Sequence, residues 1–202
     1  MILTKRFERA VCLACDFHRT QKRKNIPSPF MSHLFSVCAM VCENIDFICK
    51  DAEEAEDYAI TAILHDAIED QGGMEAYGRI SRDLGTQIAD NVLMLSDSSC
   101  QPGESKPPKT ERNRLYREKL KQAPPGIVLI SCCDKIHNMR SMAADYLVLG
   151  DEIWKSYTLP PEQTLANYQT LEKIYKERLG SHRIVLLYRE ALHAVECLRQ
   201  TL

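Results

Sequence analysis

No run of apolar residues in this chain approaches the roughly 20 needed to cross a bilayer. An excess of either charge is missing too. The 26 Lys and Arg against 28 Asp and Glu leave a formal net charge of −2, which excludes a general attraction to nucleic acid or to anionic membranes. Any anionic ligand must therefore be met by a local basic cluster. The opening residues reach charge at Lys5 and Arg6 without forming a signal-peptide core. Strand-type alternation, internal repeats and a composition break marking a second domain are all lacking. Cysteine is not scarce, at nine residues, but paired cysteine is. The number is odd, Cys38, Cys42, Cys132 and Cys133 lie in apolar helical runs, and Cys12 and Cys15 form a C-x-x-C with no second pair. The expectation is a reduced, cytoplasmic protein without a disulfide framework.

What is present is helical periodicity. The 202 residues, 45% hydrophobic and 27% charged, suit one globular domain over 1–202. Apolar spacing predicts helices over 4–18, over 33–49 with Ser32 as N-cap, and over 55–69. Two shorter ones follow at 74–84 and 85–96, joined at Gly85, then a charged one at 110–121. A long helix is expected from Pro125, a short one near 151–157, and two more at 161–178 and 182–200. Residues 97–109 read as the one long turn-rich loop. The fold class is all-α, with the chemistry-bearing motifs between 18 and 140 and helices from 161 to 200 completing the bundle.

The chain is organised around Ala62-Ile63-Leu64-His65-Asp66-Ala67-Ile68-Glu69-Asp70. On a continuous helix His65 stacks over Glu69 and Asp66 over Asp70. Four ionisable groups on one stripe of a core helix are costly unless something organises them, and a divalent cation is the usual solution. The plainer alternative is a solvated acidic helix end. Two further segments favour the metal. His33 follows the basic loop that holds Arg23 and Lys24, and Asp134 lies with Lys135, His137, Asn138 and Arg140 on a helix that opens with the apolar run Ile127–Ile130. Two imidazoles and two carboxylates make a mixed N/O set suited to borderline or hard divalent ions, and manganese, iron, magnesium and zinc all remain open.

The order His33, His65-Asp66, Asp134 resembles the HD-domain superfamily of metal-dependent phosphohydrolases. The fuller pattern is His18-x-x-Gln21-x-Arg23-Lys24, Ser32-His33, His65-Asp66-x-x-Glu69-Asp70 and Asp134-Lys135-x-His137-Asn138-x-Arg140. It resembles the hydrolase domain of RelA/SpoT-homologue proteins over residues 4–180. That resemblance implies a helical HD bundle that removes the 3′-pyrophosphate of guanosine tetra- and pentaphosphate. It implies manganese held by His33, His65, Asp66 and Asp134, and Glu69 and Asp70 acting on the attacking water. Arg23 is then the residue that stacks on the base, Lys24 a phosphate partner and Asn138 a ribose partner, with Lys135 and Arg140 in the same substrate-binding motif. The implied partner is a small-molecule nucleotide, with no nucleic acid and no membrane. Leu34 and the glycine-free loop Asn25-Ile26-Pro27-Ser28 depart from the family pattern, as does the stretch after Asp97. An HD phosphohydrolase for another nucleotide or phosphate ester is the alternative. A non-catalytic nucleotide-binding module would more naturally have lost Glu69 or Asp70.

Overall fold

The computed structural model describes residues 2–98, 100 and 105–198. Among them there are helices and no strand, as the periodicity predicts. Helix α1 (Lys5–His18) starts at Thr4, whose hydroxyl accepts from the Arg6 amide. The basic loop that follows is stitched by one antiparallel bridge between Lys22 and Pro29. The Arg23 amide donates to Ser28 O at 2.9 Å and Phe30 to Gln21 O at 3.0 Å.

Helix α2 (Met31–Cys42) is shorter and earlier than expected. Ser32 is not its N-cap but lies inside the first turn, its hydroxyl donating to Pro29 O. The helix does not reach residue 49 because Asn44 turns its side-chain amide back onto Met40 O at 2.7 Å. A single 3-10 turn (Ile45–Phe47) carries the chain on. Helix α3 (Ala52–Leu64) is capped by the Asp51 carboxylate, which accepts from the Glu54 amide. The central helix expected over 55–69 is interrupted: α3 stops at Leu64, and a short α4 (Ala67–Asp70) resumes after His65 and Asp66.

Helices α5 (Met74–Leu84), α6 (Thr86–Leu95) and α7 (Lys109–Gln122) follow close to their expected bounds. The expected loop at 97–109 is non-helical where it is described except at Lys109, which opens α7, and its residues 99 and 101–104 lie outside the described residues. Helix α8 (Pro125–Leu149) is the axis of the molecule, buried along most of its first half and packed by α2, α9 and α10. It can enter the core because residue 126 is glycine. A Cβ there would sit 2.4 Å from the Tyr58 ring. A 3-10 segment (Gly150–Ser156) stands where the short helix was expected and leads to α9 (Pro161–Leu179) and α10 (Arg183–Leu198). The expected end of the last helix, beyond 198, lies outside the described residues. No helix among the described residues is long and apolar enough to cross a membrane.

Candidate metal centre and substrate cavity

The interruption between α3 and α4 shapes the site. The stacking expected on a continuous helix does not form, because His65 and Asp66 occupy the turn itself, with Asp66 at φ −97°, ψ −2°. His65 is buried, and its Nδ1 donates to Ala62 O at 2.8 Å. Ala62 O is the carbonyl that a continuing α-helix would offer to the Asp66 amide. That bond turns Nε2 inward, where burial opposes its protonation but Asp66 and Asp134 outweigh it and raise the His65 pKa, so a cation held here would displace a proton from Nε2.

The neighbouring Asp66 and two other helices deliver partners to that nitrogen. His33, from the first turn of α2, brings its Nε2 to 3.3 Å. Asp66 Oδ2 lies 3.2 Å from His65 Nε2 and 3.5 Å from His33 Nε2. Asp134 Oδ1, from α8, lies 3.7 Å and 3.2 Å from the same two atoms. His33, His65 and Asp66 thus offer ligand atoms all within 4.8 Å of one another, with Asp134 against both imidazoles. His33 Nδ1 is paired with His137 Nδ1 at 2.8 Å. Burial, and then the neighbouring His33 and Arg23, push the His137 pKa down to about 4, so His137 is neutral and able to accept. A donation from His33 to His137 turns the His33 lone pair onto the cluster. With both imidazoles neutral, two nitrogens and two carboxylates converge, Asp134 being held from outside by Asn138 Nδ2 at 2.6 Å and Lys135 Nζ at 2.5 Å, and this ligand set fits a divalent cation. Burial alone would raise the Asp66 and Asp134 carboxyls. For Asp66 the His65 and His33 imidazoles reverse that, for Asp134 Lys135 followed by the same imidazoles, and both acids end below the usual range.

Glu69 and Asp70 border the cluster from α4, each held by a different scaffold. Glu69 Oε2 accepts from the Asp97 amide at 3.3 Å, and Arg112 Nη1 lies 3.5 Å from Oε1. Asp97 is itself gripped by Lys109 at 2.6 Å and Arg112 at 2.5 Å. Burial first, and the Asp97 charge second, raise Glu69 to about 7. Asp70 Oδ2 instead accepts from Gln21 Nε2 at 2.8 Å. Its pKa is raised by burial and by Asp66.

A cavity of about 390 Å³ opens from the cluster. One stripe of α8 runs along it, Asp134, Asn138, Ser141 and Asp145, spaced four, three and four residues apart. Arg23 reaches in from the basic loop, donating through Nη2 to Asn138 Oδ1 at 2.9 Å and lying 5.7 Å over the Phe30 ring. Lys24 sits 5.7 Å over Tyr157. Lys135 lines the cavity, but its ammonium is bound to Asp134 Oδ2 at 2.5 Å. Arg140 is not brought to the cavity. Two residues beyond Asn138, it points about 200° around the helix and is exposed.

Sequence reasoning missed Asp97, Lys109, Gln21 and Asp145 as residues of the site. Only Gln21 carried a signal, through its place in the His18-x-x-Gln21 motif. The others have no local periodicity or spacing that marks them, and only the packing of α4, α7 and α8 brings them together.

The family model described as HD domain matches residues 10–149. A solved structure of a metazoan ortholog of SpoT, which hydrolyzes ppGpp and plays a role in starvation responses, matches with a TM-score of 0.70 and 19% identity. The match covers 96% of this chain and 97% of that one. At this identity the likeness is one of fold. No curated protein matches the sequence.

Proposed function

This chain belongs to the HD domain family, and on that footing we propose that it is a divalent-metal-dependent phosphohydrolase that removes the 3′-pyrophosphate of guanosine tetra- or pentaphosphate. One observation carries the proposal. The ligand atoms of His33, His65 and Asp66, with Asp134 against them, meet beside Glu69 and Asp70 in the one cavity that Arg23 and Lys24 also line.

His33, His65, Asp66 and Asp134 are the residues that would hold the ion, manganese by preference. When bound, such an ion supplies Lewis-acid polarisation of a phosphoryl oxygen and acidifies a water. Glu69, raised to about 7, is matched to taking a proton from the attacking water at neutral pH. Asp70, held by Gln21, is the second carboxylate available to orient that water. Arg23 offers a planar cation for the base or a phosphate, and Lys24 a point charge for phosphate. Asn138 is placed beside Arg23 for a ribose hydroxyl. Lys135 offsets the Asp134 charge. Its contact with substrate is secondary to that pairing. The free thiols agree with a reducing, cytoplasmic setting.

A second reading, cleavage of a different nucleotide, is favoured by the cavity wall away from the ion. There Asp145, Thr158, Thr164 and Asn167 present oxygens and amides but no cation. A second polyphosphate group would have to be met from the other side of the cavity, by Lys22, Arg23, Lys24 and Lys109. The test is to assay purified protein with manganese against a nucleotide panel. Release of pyrophosphate and guanosine diphosphate from guanosine tetraphosphate is the expected result. Hydrolysis of other nucleotides only would select the second reading, and no hydrolysis with any divalent ion would end both.

A further inference from the structure

Gln21 is used by neither the ion nor the substrate, yet it is fully engaged. Its Oε1 lies 2.7 Å from His18 Nδ1 and accepts from Gln71 Nε2 at 2.5 Å, while its Nε2 donates to Asp70 Oδ2 at 2.8 Å. The orientation of this amide follows from its surroundings. Reversed, it would set nitrogen against the donors of His18 and Gln71, and oxygen against the Asp70 carboxylate. The Asp70 carboxylate, which can only accept, rules that orientation out, and the Gln21 oxygen then selects the donor forms of His18 and Gln71. The His18 ring is itself fixed. It is buried, lies 5.1 Å from the Phe30 ring in a stacked arrangement, and Phe30 in turn meets the His33 ring at 5.4 Å. With Nδ1 donating to Gln21, the neutral ring keeps an acceptor at Nε2, which is buried with no protein partner.

We propose that Gln21 is a positioning residue for Asp70, its amide locked in the donating orientation by His18 and Gln71. This rests on the assignment of Asp70 to the reaction. The lock directs one carboxylate oxygen toward the amide and so aims the other, without adding a charge beside the metal centre. It also explains why a glutamine stands where a lysine would pair more strongly with Asp70. A cation there would hold the same oxygen but draw negative charge away from the site. His18 then acts at one remove, through the amide and not on the carboxylate.

The experiment uses the full chain, with turnover of guanosine tetraphosphate, bound manganese and melting temperature measured together. Gln21→Leu is expected to lower kcat roughly 10- to 100-fold, the usual range for a lost partner of a site residue, with KM and metal content unchanged. His18→Leu should lower kcat in the same direction. His18→Asn, whose side-chain amide can replace the Nδ1 donor, should stay near the wild type. The double variant His18→Leu/Gln21→Leu should be no slower than Gln21→Leu alone, since both act through one amide. Multiplied losses in the double variant, an unchanged kcat for Gln21→Leu, or a rise in KM alone would each overturn the proposal. If the wild type turns over no nucleotide, the functional assignment fails separately. The lock is then read from hydrogen exchange of the Gln21 side-chain amide. Protection in the wild type that is lost in His18→Leu supports it, and no protection in the wild type overturns it.

Discussion

Glu69 and Asp70 are neighbours in sequence, yet the two halves of the molecule treat them in opposite ways. On the α7 side, Glu69 meets a charged network in which Asp97, Lys109 and Arg112 pair among themselves and leave it one backbone amide and a distant guanidinium. On the α1 side, Asp70 meets a neutral network of two glutamines and a histidine. The charged surroundings move a protonation equilibrium, since the Asp97 charge adds to burial in holding Glu69 near 7. The neutral surroundings fix a direction. Two adjacent carboxylates can therefore perform different tasks without any difference in their own chemistry.

The largest effect should come from removing what both networks serve. Asp134→Ala is expected to abolish turnover and to lower manganese affinity in a calorimetric titration, because it leaves an incomplete set of ligands. Full activity with unchanged metal content would dissolve the comparison altogether. Glu69→Gln comes next, with a loss in kcat of at least ~10²-fold while fold and bound metal persist. Loss of metal in that variant would make Glu69 a ligand, and wild-type kcat would move its role to Asp70. Asp97→Asn tests the charged network without touching either carboxylate. With a like charge gone, Glu69 should release its proton at lower pH. The acid limb of the kcat profile, which falls as pH drops through about 7, should then move to lower pH. A limb that stays in place would show that burial alone sets it. The mildest change is Arg23→Ala, expected to raise KM on the order of 10-fold with kcat little altered, since its contact is made before and during reaction alike.

Much of this centre is legible in the chain because helices announce themselves by spacing. An Asp in the apolar run of α8, or a His-Asp pair on an apolar helix, stands out as a cost that needs a reason. The break at His65-Asp66 is not legible. Nothing in Ala62 to Ile68 departs from helical spacing, and the interruption depends on tertiary packing of the imidazole. Arg140 was drawn into the site by its motif, and the 3.6-residue turn carries it to the far face. His137 runs the other way: sequence alone gives it no role of its own, yet it makes the bond that can turn the His33 lone pair onto the cluster. Asp97 and Lys109 sit at the two ends of a loop that looks like a spacer, and their meeting is a long-range fact that local pattern does not encode.

The stripe on α8 has a consequence for how such a protein can change over generations. Asp134 and Asp145 are 11 residues apart on one rigid rod, about 16 Å at 1.5 Å per residue. The end that would meet the ion is tied to two other elements through His33 and His65, and within α8 to Lys135. The end at Ser141 and Asp145 borders the cavity, with Asn25 donating to Asp145. Replacements at the free end can alter which molecule fits while leaving the anchored end untouched. Descendants of one ancestral hydrolase could thus drift apart in diet while sharing one unaltered engine.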